Sequence, residues 1–341
     1  MVTSRRPNEI KSIRETLNAI RHSQSAKKGH RNIVKSEEPP FKACGNKTEI
    51  DRIKKTVEIL AESETGLDLL QRAYDNNYMI SIQKVGDALG YCDPSKKLVV
   101  LNSNCTDDQN VGTLAHELTH AGQFVNGMGS LDNIDTKSYF LETRVMEADA
   151  EARAGLALSE LREKGYEMAW ICFTEDSPTV AKGLEKALKQ EGLATPEARN
   201  KVLTSTFKAW FDNNAIKNAY DKDNLYFLND SLEHGEELPL NKSVPPKDLI
   251  AQCCQFRDGS NYFKDDPQIL LTPKFLGVSQ NTMAELNKFM TKRKNQQNLE
   301  PDKSVKEIPV VKLKTPSGRH KFSKTTKFAV QHFLSKKLQN N

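Results

Sequence analysis

The chain has 341 residues, 37% hydrophobic and 28% charged, with a formal net charge of +5. That length holds one large domain or two small ones, and the modest apolar share predicts an ordered body with polar ends. No apolar run approaches the roughly 18 residues that a spanning helix needs, and no apolar segment follows the basic start Met1-Val-Thr-Ser-Arg-Arg-Pro-Asn-Glu-Ile, so neither a transmembrane segment nor a cleaved secretory signal is expected.

Charge is spread unevenly. Residues 1–36 carry nine Lys/Arg against two Asp/Glu, residues 301–341 carry ten against two, and the whole-chain value then leaves −10 for residues 37–300. The expected organisation is a basic, mostly disordered arm (1–45), a core (46–165), a helical extension that completes the domain (166–295) and a basic, mostly disordered tail (296–341). Neither basic end shows a nucleic-acid motif or interleaved aromatics, so no specific nucleic-acid partner is expected. The six cysteines, Cys44, Cys92, Cys105, Cys172, Cys253 and Cys254, have no C-x-x-C spacing and no regular framework. That pattern predicts reduced thiols and cytoplasmic synthesis, compatible with export by a dedicated secretion system.

In chain order, the first arm holds one short helical stretch, Glu9 to Ile20. Between Glu49 and Asn76 the apolar positions Ile50, Ile53, Val57, Leu60, Leu67, Leu70 and Ala73 predict two helices broken near Ser63-Glu-Thr65. Met79 to Gln83 and Lys97 to Asn102 are short β-rich runs, with Asp93-Pro-Ser95 turning before the second. Thr106-Asp-Asp-Gln109 then reads as a capping box. The helix it starts carries Val111, Leu114, Ala115, Leu118, Ala121 and Val125 at helical spacing, with His116 and His120 on the opposite side, and it closes at Gly127-Met-Gly129. A long helix is predicted from Ser138 to Glu163, then helices over Thr179 to Glu191, Pro196 to Tyr220, Pro246 to Phe256 and Gln280 to Lys294. Phe328 to Leu338 is an amphipathic run in the tail. The fold class is α+β and mostly helical, with a small sheet ahead of a pair of metal-bearing helices.

The chemistry is concentrated in His116-Glu117-Leu-Thr-His120. Two histidines four apart on a helix present both imidazoles to one ion, and the H-E-x-x-H pattern is that of zinc sites. Glu117, directly after a ligand, points toward the water position and is the candidate general base rather than a ligand. A catalytic zinc needs a third protein ligand, and no third histidine follows at metzincin spacing. In Arg144-Val-Met-Glu147-Ala-Asp149-Ala-Glu151-Ala-Arg153 the alanines leave a helix surface that another helix can approach closely, with Glu147 and Glu151 on one face and Asp149 opposite. Glu147 is the preferred ligand, with Glu142 and Glu151 as alternatives. His234, Tyr139 and Tyr166 are candidates for stabilising an oxyanion.

Leu114-Ala-His-Glu-Leu-Thr-His-Ala-Gly-Gln123 followed by Glu147-Ala-Asp-Ala-Glu-Ala152 resembles the HExxH zinc metallopeptidases whose third ligand is a downstream glutamate, nearest to uncharacterised bacterial metallopeptidases. The resemblance covers about residues 75–160. It implies Zn2+, a protein or peptide substrate and an edge strand that holds substrate by main-chain pairing, for which Leu98 to Leu101 is the candidate. It also implies a supporting position one turn after the glutamate, here Glu151. An alternative reading keeps the metal fold for binding alone, as a regulator or partner-binding protein, with a bacterial effector among the forms it could take. Glu117, which zinc binding alone does not require, favours the enzyme.

Overall fold

The computed structural model describes residues 34–38, 40–129 and 133–312. The expected helix at Glu9 to Ile20 and the run at Phe328 to Leu338 lie outside the described residues. Five strands form one mixed sheet in the order β1-β2-β3-β5-β4: β1 (Val34–Glu38), β2 (Phe41–Gly45), β3 (Met79–Gln83), β4 (Gly90–Asp93) and β5 (Leu98–Asn102). β1 and β2 pair antiparallel, β2, β3 and β5 run parallel, and β4 returns antiparallel along β5. β5 lies inside the sheet, and its run of branched residues follows from burial on both faces. Val99 and Leu101 enter the main core, while Val100 packs with Val85 and Ala88 on the other side.

Two corrections concern this sheet. Leu98 to Leu101 is not an edge, because β5 pairs with β3 on one side and β4 on the other; the strand at the end of the sheet beside the candidate site is β4. Moreover, the last part of the expected N-terminal arm, residues 34–38 and 41–45, supplies two strands, with Phe41 and Ala43 buried.

The helices before the site lie close to their predicted places: α1 (Lys47–Ala61) and α2 (Glu64–Asp75), separated by the Ser63 cap. α3 (Asp107–Val125) starts at a reciprocal box in which Thr106 Oγ1 accepts from the Gln109 amide and Gln109 Oε1 from the Thr106 amide. α4 (Thr136–Glu163) is the axis of the molecule, buried from Ser138 to Leu161. Around it lie α5 (Glu167–Asp176), α6 (Pro178–Glu191), α7 (Pro196–Trp210), α8 (Asn214–Glu233), α9 (Pro246–Cys253), the single turn α10 (Pro273–Leu276) and α11 (Gln280–Gln297). The expected helix Pro196 to Tyr220 is two helices, because Asn213 Oδ1 accepts from the amides of Ala215 and Ile216 and starts α8 afresh.

Beyond α11 the chain stays on the body, further than the expected tail boundary. Ser304, Val305 and Ile308 are buried, Asp302 Oδ2 accepts from the Thr136 amide, and Val310 bridges to Val278. Arg293, also buried, donates to the carbonyls of Leu238, Pro239 and Glu300. No helix among the described residues is long and apolar enough to cross a membrane.

Candidate metal centre

Two helices meet to build the site. α3 contributes His116, Glu117 and His120, and α4 contributes Glu147, Glu151 and Asp149, all buried. The small residues between them allow the approach. A Cβ on Gly112 would come within 3.1 Å of Leu158 Cδ1, and one on Gly155 within 2.8 Å of the Phe173 ring, so Leu158 of α4 packs directly on the α3 backbone and Phe173 of α5 on that of α4. This is the close-packing surface that the alanine-rich stretch of α4 predicts, and it carries Glu147 to the histidines.

His116 Nε2 lies 3.0 Å from His120 Nε2 and 3.4 Å from Glu147 Oε2, and His120 Nε2 lies 3.5 Å from Glu147 Oε1. Two ligands each about 2.0–2.1 Å from one tetrahedral ion are separated by about 3.3 Å, so the three residues already stand at ligand spacing. His116, His120 and Glu147 form a buried metal-binding group. The donor set also fits chemically: Glu147 Oε1 has no hydrogen-bond partner, an uncommon state for a buried carboxylate oxygen unless a cation completes it.

The His120 imidazole is held from behind. Gln123 Nε2 donates to Asp149 Oδ2 at 2.8 Å and to the Met146 carbonyl at 2.9 Å, so its Oε1 is the acceptor for His120 Nδ1–H at 2.8 Å. The proton on Nδ1 leaves the Nε2 lone pair facing His116 and Glu147. Asp149 is fixed in turn by Arg153 Nε at 2.8 Å and Tyr262 Oη at 2.9 Å, while the Arg153 guanidinium stacks over the Phe256 and Tyr262 rings. On the other histidine, Nδ1 of His116 faces Glu151 Oε1 at 3.6 Å. Burial lowers the pKa of His116, against the pull of Glu151 and Asp149. Burial also lowers His120, to about 4. Both rings are therefore neutral at physiological pH, the form in which imidazole binds a metal.

Glu117 is buried beside the group, and its pKa stands well above the ordinary carboxylate range, first through desolvation and then through the charges of Glu147 and Glu151. β4 covers it closely. A Cβ on Gly90 would fall 2.7 Å from both Thr113 Cγ2 and the Val100 carbonyl, and 3.4 Å from Glu117 Cγ, so glycine lets the end strand lie directly on the metal-bearing helix. Tyr220, from α8, donates to Glu147 Oε2 at 2.5 Å.

Residues 27–263 match the family described as "Putative metallopeptidase family (DUF6782)". The chain belongs to this family. The match is much wider than the stretch on which the sequence resemblance rests, and it takes in the sheet, both site helices, Tyr220 and Tyr262. No curated protein and no solved structure matches the chain significantly.

Within this family member, the other candidates fall elsewhere. Glu142 is turned to the loop after α3, where Oε1 accepts from the Gly129 amide at 2.7 Å. Glu151 stands behind His116 rather than among the converging atoms. Of the oxyanion candidates, His234 is exposed at the C-terminus of α8 with Nδ1 on the Asp230 carbonyl, Tyr139 is buried against Phe140 about two turns before Glu147, and Tyr166 precedes α5 beyond the far end of α4. Sequence reasoning missed Gln123, Arg153, Tyr220 and Tyr262, and placed Asp149 apart from the site it supports. Gln123 had a local signal, being one turn after His120 on the same helix; the tyrosines, far away in sequence, had none.

Proposed function

We propose that this chain is a zinc-dependent metallopeptidase that hydrolyses peptide bonds, with His116, His120 and Glu147 as ligands and Glu117 as general base. The observation that carries the reading is the convergence of two neutral imidazoles and a carboxylate oxygen without a hydrogen-bond partner, with a second buried carboxylate one residue after a ligand. When bound, zinc supplies Lewis-acid chemistry, lowering the pKa of water and polarising a carbonyl. Glu117 takes the proton from the attacking water and passes it to the leaving amine, a task suited to a carboxylate whose pKa is raised by burial. Gln123 holds His120 in the tautomer that leaves Nε2 free, and Glu151 faces Nδ1 of His116. β4, at the end of the sheet and packed on Glu117 through Gly90, offers its backbone to an extended peptide, the role that the interior strand β5 cannot take.

A protein that binds zinc without catalysis would need the three ligands but not Glu117. The reading is tested by metal analysis and by peptide-library cleavage on wild type and Glu117→Gln. Wild type is expected to hold close to one zinc per chain and to cleave. Glu117→Gln should keep zinc and fold while hydrolysis falls by roughly a hundredfold or more. Equal rates in the two proteins remove Glu117 from the mechanism. Zinc binding with no cleavage anywhere in a broad library, together with capture of a defined protein partner, replaces the enzyme by the binding protein.

A further inference from the structure

Among the described residues the exposed large apolar side chains are Leu67, Val125, Met168, Ile171, Leu271 and Val310, and of these only Met168 and Ile171 share a helix, α5, where they are 55% and 40% exposed. Three residues apart, they lie on one side of it. Glu175, four residues after Ile171, falls on the same side and Glu167 borders it; both are exposed, and among the described residues neither is in an ion pair of 4 Å or less. The nearest cations in sequence are taken, Arg162 by Glu185 and Lys164 by Glu62. The outer face of α5 is therefore an apolar strip edged by unpaired carboxylates. Its inner face carries the buried Ala169, Trp170 and Phe173, and Ser177, just past its end, is hydrogen-bonded to Glu151, which faces His116. What covers the outer face bears on the helix that stands behind a histidine of the metal-binding group.

The chain itself holds a segment of matching chemistry. Residues 313–341 carry seven Lys/Arg and no Asp/Glu, and within them Val330, Phe333, Leu334 and Leu338 recur at helical spacing beside Lys327, Lys336 and Lys337. The other amphipathic stretch, Glu9 to Ile20, has two Lys/Arg against two Asp/Glu and no net charge to set against α5. Reach is sufficient. The described chain runs on to Lys312, and its Asp302 is bonded to Thr136 at the start of α4. Gly155, against which Phe173 of α5 packs, lies 19 residues further along α4 (136 to 155), or about 29 Å at about 1.5 Å per residue. Residues 313–327 can extend over about 50 Å. Size also favours a tethered occupant. Two partly exposed side chains fall far short of the roughly 1,200 Å² that a stable interface between separate chains buries. A segment joined by a flexible linker meets the same face at an effective concentration of about millimolar, so a small contact is enough.

We propose that the segment Phe328 to Leu338 docks on the outer face of α5 in the same molecule, with Val330, Phe333, Leu334 and Leu338 on Met168 and Ile171 and its lysines beside Glu167 and Glu175. The contact covers the apolar strip and fastens α5, with Ser177 and Glu151, behind His116. The opposite charges of body and tail then act within one chain.

The test is coupling of the full chain with a carbodiimide, which joins lysine amines to carboxylates they touch. It uses an equal mixture of unlabelled and heavy-isotope-labelled protein, and the joined peptides are read by mass spectrometry. Lys327, Lys336 or Lys337 is expected on Glu167 or Glu175, with both peptides of a pair carrying the same label. Met168→Gln with Ile171→Gln keeps every charge and should cut this yield at least fivefold. If that variant does not fold by circular dichroism, Phe333→Gln with Leu334→Gln, which alters no described residue, should give the same loss. An unchanged yield in a folded variant means that the lysines only sample an acidic surface, and it overturns the contact. Pairs with different labels overturn it in favour of a second copy, and coupling of Lys11 in place of the three lysines overturns it in favour of the N-terminal run. Absence of any coupling between these lysines and α5 overturns it outright.

Discussion

Tyr220 Oη donates to Glu147 Oε2 at 2.5 Å, while Oε1 of the same buried carboxylate has no hydrogen-bond partner. One oxygen is thus held by a phenol and the other is left for a cation. The tyrosine is held in place by its neighbour in sequence. Asp221 receives both Nε and Nη2 of the buried Arg144, and Arg144 lies one turn before Glu147 on α4. This ion pair, with the Thr143 hydroxyl donating to Asn224 Oδ1, ties α8 to α4 and presents the phenol to the carboxylate.

Tyr220→Phe removes that donor and little else. Zinc affinity should fall by roughly tenfold or more, the range found when a group orienting a ligand is lost. Competition with a chromophoric chelator measures this without reference to peptide cleavage, and an unchanged dissociation constant would show that the phenol does not position the ligand.

Glu142 gives a pH prediction. Burial raises its carboxyl to about 7, with the Gly129 amide pulling the other way. The unfolded chain ionises near 4.5, so between that value and about 7 the folded state binds more protons, and stability from this group is full below about pH 4.5 and is lost as pH rises to 7. Glu142→Gln keeps the acceptor for Gly129 and removes the charge. It should stabilise the protein at pH 8 by at most about 3 kcal/mol, with the gain shrinking toward pH 5. Denaturant melts at the two pH values decide it; a gain larger at pH 5 than at pH 8 contradicts the assignment.

Gly155→Ala probes the contact between α4 and α5. Alanine is favoured in helices by up to about 1 kcal/mol, but its methyl would lie 2.8 Å from the Phe173 ring and 3.1 Å from Leu184 Cδ2. Overpacking of this kind costs about 1–3 kcal/mol, so a net loss of stability is expected. Zinc content should be little changed, because the contact lies away from the three converging ligand atoms. A more stable variant, measured by denaturant melts, would mean that the ring shifts freely.

The site's local half was legible in the sequence and its distant half was not. His116, Glu117 and His120 lie within one and a half helical turns, and the box at Thr106 announces the helix that aligns them. Glu147 was reachable because the small residues after it mark a helix that others approach closely. β4, by contrast, reads Gly-Tyr-Cys-Asp, with no run of branched residues; its strand conformation comes from pairing with β5 and its closeness to α3 from Gly90. Tyr220 and Tyr262 stand 73 and 113 residues from the carboxylates they hold, beyond the reach of any periodicity. The expected arm at 41–45 holds a strand for the same reason: Phe41 and Ala43 acquire a core only when β3 is beside them.

The segment after residue 263 packs on the elements that carry the metal-binding group. The family match ends there, with every residue of the metal-binding group behind it. Yet the guanidinium of Arg144, which anchors α8, gives its remaining bond to the Phe275 carbonyl, and the start of α4 is tied by its Thr136 amide to Asp302. A chain stopped at the family boundary would keep all its chemistry on paper and lose the acceptor of a buried cation together with the clasp on its central helix. The matched segment holds the metal-binding group; the packing that supports it in this molecule extends about fifty residues further, to Val310.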